Sequence, residues 1–137
     1  MRIITVALVL TIVIIDISIL SAQEMDTVQH PVAKVIALNA NGKDYLRILG
    51  GPPESSTLHS GLVTLRRKAS VGKHNTEKYE EMVIVLRGTG IMKITGGPDL
   101  SFKAGQVVYC PSHTEHDVLN TGRTLLRYVY VVAETDR

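Results

Sequence analysis

Short apolar segments bounded by glycine, proline, asparagine or aspartate recur along the chain after residue 31. Segments rich in valine, isoleucine, leucine and tyrosine are typical of β-strands, and the turn residues between them end each strand. The predicted strands are residues 32–38, 45–49, 57–66, 81–87, 90–94, 100–103, 106–110, 117–120 and 125–133. No segment after residue 25 has a helical period. Many closely spaced short strands predict an all-β sandwich or barrel.

The beginning of the chain has a different composition. Arg2 is followed by a nearly continuous apolar run that contains Asp16 and ends in the small residues Ser21 and Ala22. A basic start, an apolar middle and a small-residue end predict a secretory signal peptide over residues 1–22.

A membrane anchor formed by residues 3–20 is the alternative, because a span needs about 20 apolar residues. Asp16 disfavours permanent residence in lipid. We therefore expect a secreted or periplasmic protein without stable membrane association, a flexible arm over residues 23–31 and one domain over residues 32–137.

Composition argues against a nucleic-acid-binding protein and against a fold held together by disulfide bonds. A net charge of +2 in 137 residues, with no tryptophan and one phenylalanine, gives neither the basic surface nor the aromatic platform of a nucleic-acid-binding protein. Cys110 is the only cysteine, so the chain has no internal disulfide.

Two of the predicted strands are apolar on both faces, namely residues 82–86 and 125–132. An antiparallel strand with one solvated face should alternate between apolar and polar residues. A domain of this size has one core, which covers only one of the two faces. A second subunit on the other face is the simplest explanation, and we predict a homodimer.

Histidine and carboxylate residues adjoin the strands. The segment that runs from Gly105 to Asn120 predicts a strand, a turn broken by Pro111, and a second strand that starts near His116. His74 and Glu81 lie upstream, ahead of and at the start of another apolar strand. Two imidazoles and a carboxylate brought together by antiparallel strands are a plausible metal site.

These residues also carry a family resemblance. The chain resembles the cupin superfamily, whose second motif is G-x5-P-x-G-x2-H-x3-N. Gly105, Pro111, His116 and Asn120 match it, and His113 replaces its second glycine.

The first cupin motif is G-x5-H-x-H-x(3,4)-E-x6-G, and the match to it is partial. His74, Glu81 and Gly88 fall at the right spacings, whereas Thr76 replaces the second histidine and Lys68 the first glycine. The resemblance implies a small cupin-type double-stranded β-helix, that is, a jelly-roll barrel, preceded by the N-terminal apolar signal segment.

The resemblance implies a divalent metal held by His74, Glu81 and His116. Iron, manganese, nickel, copper and zinc are all compatible with two imidazoles and one carboxylate. With Thr76 in place of a histidine, one protein ligand is lost, and metal affinity should be lower than in a complete site. A water held by Thr76 could fill that position.

Four other side chains are candidates for secondary roles. We predict Tyr79, Tyr109 and His113, together with Thr76, as possible pocket residues, and His59 as a structural or surface residue.

Function is less constrained than fold, because cupins host many chemistries. The first hypothesis is an exported metal-dependent enzyme of isomerase, dioxygenase or lyase type that acts on a small oxygen-rich metabolite. The second is a module that binds a small molecule without catalysis, and the third is a structural domain with a satisfied polar cluster.

Overall fold

The computed structural model describes residues 30–135, and these form an all-β domain. The strands are β1 (Tyr45–Gly50), β2 (His59–Leu65), β3 (His74–Asn75), β4 (Tyr79–Arg87), β5 (Thr89–Ile94), β6 (Leu100–Lys103), β7 (Val107–Cys110), β8 (Glu115–Asn120) and β9 (Leu126–Glu134). No helix in the described part of the chain has the length and hydropathy of a membrane span.

The strands form two antiparallel sheets. The five-stranded sheet has the order β1-β2-β9-β4-β7, and the four-stranded sheet has the order β3-β8-β5-β6. Buried apolar side chains from both sheets pack against each other between them, so the core lies inside a jelly-roll barrel. This architecture confirms the predicted all-β cupin-type fold.

Side chains of the five-stranded sheet alternate between the barrel interior and its outside. Because β2, β9, β4 and β7 pair in register, their inward residues form rows across the sheet. One row contains Leu65 and Leu126 at the packed end of the barrel, and another contains His59, Val132 and Glu81 near the opposite end. The polar candidates therefore belong to one end of the interior.

The packed end is closed by hydrogen bonds from a buried asparagine. The Asn120 side-chain amide donates to the carbonyls of Leu65 and Thr124, at 2.9 and 2.8 Å, and its oxygen accepts from the Gly122 N–H at 2.9 Å. Gly88 has φ of +86°, and a Cβ there would lie 2.5 Å from the Leu125 carbonyl oxygen. Two of the motif positions are thus explained by the fold and not by the site.

The predicted strand over residues 32–38 is wrong. Residues 30–40 form no strand, and Val32 and Val35 are 71% and 101% exposed. The apolar residues suggested a strand, but no neighbouring strand pairs with the segment, which contacts the domain through the Arg127 side chain and the Leu38 carbonyl.

The other predicted strands correspond to β1, β2 and β4–β9, with ends that differ by one or two residues. The two-residue β3 was not predicted, because a strand this short has no periodicity. The predicted signal peptide over residues 1–22 and nearly all of the predicted arm over residues 23–31 lie outside the described residues.

Candidate metal centre

Three side chains from both sheets converge at the open end of the barrel. Glu81 lies on β4, His116 on β8, and His74 on β3, directly opposite His116 in the antiparallel register. One potential ligand atom from each residue lies within 4.8 Å of the others. The structure therefore brings together the three residues that the sequence analysis predicted as metal ligands.

Glu81 and His116 form the buried part of this group. His116 Nε2 lies 2.8 Å from Glu81 Oε2, and the two residues are 0% and 6% exposed, respectively. The hydrogen bond to Glu81 raises the pKa of His116, against the opposing effect of burial. A carboxylate at this depth needs a positive partner, because an uncompensated buried charge is strongly destabilising.

The orientation of the His116 ring is fixed from its other side. Nδ1 lies 2.9 Å from the Thr114 carbonyl, to which it donates, and 3.3 Å from Cys110 Sγ. With Nδ1 engaged, Nε2 is the nitrogen that faces the interior, as in metal sites whose histidines are held by a backbone carbonyl. Burial, assisted by the charge of Glu81, raises the pKa of Cys110, which keeps the thiol neutral.

His74 contributes from the exposed side. Its Nδ1 lies 2.9 Å from the Gly72 carbonyl, so Nε2 is again left for a ligand, and its ring centroid lies 4.4 Å from that of His116. Two imidazole nitrogens and one carboxylate oxygen form a donor set that suits a first-row divalent metal. The residues present fit such an ion.

Thr76 lies at the same end but is engaged locally. Its hydroxyl donates to the Tyr79 carbonyl at 2.7 Å, which closes the turn between β3 and β4. The side chain lines the cavity together with His74 and Glu81. Thr76 thus lines the cavity with its hydroxyl hydrogen already donated to the backbone.

A cavity of about 540 Å³ is lined by two of the three candidate ligands, His74 and Glu81. Its size is within the range of about 300–1,000 Å³ that is usual for small-molecule sites. Valines and tyrosines provide most of its wall, and the lining residues are Tyr45, His59, Val63, Val71, His74, Thr76, Tyr79, Glu81, Val118, Tyr128, Tyr130 and Val132.

Three of the lining tyrosines were not predicted, and two of these form a pair. The hydroxyls of Tyr45 and Tyr130 are 2.9 Å apart, and the rings are nearly parallel with centroids 6.5 Å apart. Burial raises the pKa of both Tyr128 and Tyr130 above the ordinary value for a phenol. Their hydroxyls therefore remain protonated and neutral, able to donate hydrogen bonds to a ligand.

The remaining predicted pocket residues have different locations. Tyr79 lines the cavity, whereas Tyr109 is 56% exposed on the outer face, where its hydroxyl donates to Glu80 at 2.9 Å. His113 is exposed in the loop before β8, with φ of +58°. Neither Tyr109 nor His113 is among the residues that line the cavity.

His59 was predicted to be a structural or surface residue, yet it lines the cavity and packs edge-on against Tyr79, with centroids 5.7 Å apart. It shares the inward face of β2 with Val63 and Leu65. That two-residue period was the signal that could have placed it inside.

Comparison with known proteins agrees with this geometry. The sequence model of the family described as a cupin domain matches residues 61–132, more than half of the chain. The chain belongs to the cupin family. A curated relative, an oxalate-binding protein from Thermotoga maritima, is 36% identical over 64 residues. That match covers 47% of this chain and 52% of the relative, so the chain spans about half of the relative's length.

Solved cupin structures share the fold at low sequence identity. A Cupin 2 conserved barrel domain protein from Salinispora arenicola aligns with a TM-score of 0.63 and 21% identity, over 76% of this chain and 92% of that one. A predicted oxalate decarboxylase from Thermotoga maritima aligns with a TM-score of 0.55 and 22% identity, over 73% of this chain and all of that one.

Proposed function

We propose that this cupin domain binds one divalent transition metal through His74, Glu81 and His116 and presents it to a small oxygen-rich molecule in the adjoining cavity. The observation that carries this proposal is the convergence of two imidazoles on a carboxylate that is only 6% exposed. The ion would supply Lewis-acid or oxygen-activating chemistry, and iron, manganese, nickel, copper and zinc all suit the ligands.

The chain's own residues would orient the ligand and restrict access of water. The valines of the cavity wall offer an apolar surface to a ligand, while the tyrosine hydroxyls offer hydrogen bonds. The matched relative is named for binding oxalate, which supports a small oxygen ligand for this chain as well. We propose an isomerase, dioxygenase or lyase reaction as the class of chemistry.

A binding module without turnover is the second candidate. Thr76 favours it, because the position next to the metal carries a hydroxyl that is committed to the Tyr79 carbonyl. A site with three protein ligands and no fourth histidine would still hold an ion and a small molecule. Both candidate functions require the bound metal, and only the enzyme would convert its ligand to a product.

Elemental analysis of protein purified without a metal-binding tag tests the shared part. We expect about one transition ion per chain in the wild type and almost none in His116→Ala, since a deleted ligand costs more than the roughly 10–100-fold loss seen for supporting residues. His113→Ala, a nearby exposed imidazole outside the cavity, is the matched control and should keep its metal.

A structural polar cluster would behave differently in the same experiment. It predicts no metal in the wild type and a lower melting temperature in His116→Ala, because Glu81 would lose its partner. Wild-type protein that remains metal-free after exposure to each of the five ions would rule out the proposed function.

We propose in addition that the protein is a homodimer assembled through the outer face of the five-stranded sheet. An apolar row crosses that face and includes Val129, Ile84 and the exposed Val107. Leu62 continues the row on β2 but is already fully buried within the subunit. Sedimentation at micromolar concentration should give twice the mass of the chain, and a monomer would contradict the assembly.

Export remains a proposal that rests on residues 1–22. Expression of the complete chain followed by mass spectrometry of the product should locate a new N-terminus near Ala22. An uncleaved product in the membrane fraction would favour the anchor formed by residues 3–20.

A further inference from the structure

A second cavity lies outside the barrel, at the packed end of the five-stranded sheet. Its volume is about 700 Å³. The pairing of β2, β9 and β4 places Thr64, Arg127 and Arg87 side by side on the outer face of the sheet, one row beyond the apolar row. All three line the cavity, as does Arg66 just after β2. None of the three candidate metal ligands lines it.

One wall of this cavity is the turn that precedes β1. The Lys43 N–H donates to the Ala40 carbonyl at 2.9 Å, and the Thr64 N–H donates to the Asp44 carbonyl at 2.8 Å. The first hydrogen bond closes the turn, and the second fixes it to the end of β2. Backbone hydrogen bonds therefore hold the turn beside the strands that carry the arginines.

The charged side chains of the cavity are mostly basic. Lys43, Arg66, Arg87 and Arg127 bring four positive charges to it, and Asp44 is the one acidic residue among the described residues of its lining. The whole chain has a formal net charge of only +2. The positive charge of the protein is thus concentrated at this cavity, which favours an anionic ligand.

Two of these arginines lack a counterion within residues 30–135. In that part of the chain, neither Arg66 nor Arg87 forms an ion pair or a side-chain hydrogen bond. Arg127 donates to the Leu38 carbonyl and lies directly opposite Arg87 in the antiparallel register. Like charges directly opposite each other on neighbouring strands are destabilising. An anion bound between the guanidinium groups would remove this repulsion.

The chemistry of the lining favours a phosphate group over a carboxylate. A phosphate monoester carries a charge of about −1.5 to −2 at pH 7 and three strong acceptor oxygens. Planar guanidinium groups bind such oxygens through paired hydrogen bonds. A carboxylate carries a single negative charge and would leave more of the positive charge uncompensated.

The cavity also has an apolar part and a limited size. Leu86 and Leu125, which are 44% and 41% exposed, line it and offer an apolar surface to an organic group. Its volume is within the range of about 300–1,000 Å³ that is usual for small-molecule sites. Among the described residues, no aromatic ring lines it, so it offers no surface on which nucleic-acid bases would stack.

We propose that this cavity binds the phosphate group of a small organic phosphate monoester. Arg66, Arg87 and Arg127 would surround the phosphate, and Leu86 and Leu125 would contact the organic part. The site lies outside the barrel and does not depend on the proposed metal centre. Soluble metabolites and the headgroup of phosphatidic acid both carry a phosphate monoester, so the experiments include both sources.

Calorimetric titration with phenyl phosphate, inorganic phosphate and benzoate tests the ligand class. We expect phenyl phosphate to bind at least about tenfold more tightly than benzoate, because its dianionic group meets three guanidinium groups. Inorganic phosphate should bind about fivefold more weakly than phenyl phosphate, because it has no organic part to contact the leucines. Equal affinities for phenyl phosphate and benzoate would overturn the proposal.

Two adjacent arginines provide a matched pair of variants. Arg66 and Arg67 are both exposed, but only Arg66 lines the cavity. We expect Arg66→Gln and Arg87→Gln each to weaken phenyl phosphate binding at least about tenfold, and Arg67→Gln to weaken it less than about twofold. An equal loss in Arg66→Gln and Arg67→Gln would also overturn the proposal, since binding would then follow the general surface charge.

A metal ion inside the barrel is the other group that would attract phosphate. His116→Ala removes a proposed metal ligand, and wild-type protein treated with a chelator is titrated beside it. Both should keep their affinity for phenyl phosphate. If both lose it while Arg87→Gln binds normally, the phosphate lies on the metal, and the inference is overturned while the proposed function stands. Absence of metal from the wild type would refute the proposed function and leave this inference in place.

Phosphatidylcholine vesicles with and without phosphatidic acid identify the source of the phosphate. Sedimentation of the protein with vesicles that requires both phosphatidic acid and Arg87 would identify a lipid headgroup as the ligand. Phenyl phosphate binding without sedimentation on either kind of vesicle would identify a soluble ester.

Discussion

The two faces of the five-stranded sheet differ near the candidate site in which polar and apolar residues they carry. On β4, Glu81 points into the barrel, whereas its neighbours Met82 and Ile84 point outward. The inner face at this end carries the Glu81 carboxylate, the His59 imidazole and phenols. The outer face carries aliphatic side chains beside the hydrogen-bonded pair of Glu80 and Tyr109. On the inner face Glu81 is paired with His116, whereas on the outer face Met82 and Val107 remain exposed in a single subunit.

The four-stranded sheet provides the contrast. Its outward positions include the polar Lys93, Asp117, Ser101 and Lys103, together with the half-buried Ile91 and Leu119. The outward positions of the five-stranded sheet include Met82 at 39% exposure and Val107 at 56%. The difference teaches that the apolar run in β4 has two separate surfaces, one that packs in the core and one that faces outward, where we propose the dimer contact.

The largest effect is expected when each of the two adjacent glutamates of β4 is replaced separately by glutamine. Glu81→Gln removes the inward negative charge, and we expect metal affinity to fall by at least about 100-fold. Glu80→Gln alters the outward neighbour, which hydrogen-bonds Tyr109, and should leave metal affinity unchanged. Competition titration with a metal indicator measures both variants, and an equal loss in the two would show that the faces are not functionally distinct.

A charge placed on the outer face should separate the subunits. Ile84→Glu inserts a carboxylate in the middle of the apolar row, and we expect a monomer by sedimentation because an unpaired charge at an interface is costly. Metal content per chain should be unchanged. Lys93→Glu on the outer face of the other sheet is the control and should remain dimeric.

Thr76→His adds an imidazole to the inner face. If the position adjoins the metal, affinity should rise by about tenfold, and excess metal should raise the melting temperature of the variant more than that of the wild type. A melting temperature that falls without any gain in affinity would indicate a packed polar cluster, since overpacking costs about 1–3 kcal/mol.

The smallest effect is expected at Tyr109. Tyr109→Phe removes an exposed hydroxyl from the outer face, and the free energy of unfolding should change by no more than about 0.5 kcal/mol. Denaturant titration measures the change, and metal binding measured in parallel should be unaffected. Loss of metal in this variant would show that Tyr109 contributes to the metal site.

The fold and the three candidate ligands could be predicted from the sequence because both depend on spacing. Turn residues delimit the strands, and His74, Glu81 and His116 occupy fixed motif positions. Inward and outward assignment was harder. Tyr109 was predicted as a possible pocket residue, and only the pairing of β7 with β4 shows that it faces outward with Met82.

The unpredicted cavity residues have the same physical origin. His59 and Tyr130 are on β2 and β9, and only the pairing of these strands reveals that both side chains share the interior with Glu81. Residues 32–38 were predicted as a strand from their apolar composition alone. They form none, because no neighbouring strand pairs with them.

The position of β9 in the sheet has a consequence for the order in which the domain can assemble. β9 is the last strand in sequence, yet it lies between β2 and β4. β2 and β4 can each pair with β9 only after the chain through Glu134 is available. Pairing between strands that are distant in sequence slows folding. A fragment that ends before Leu126 would leave β4 supported by β7 alone. The site at Glu81 is therefore expected to form late and in a single cooperative step.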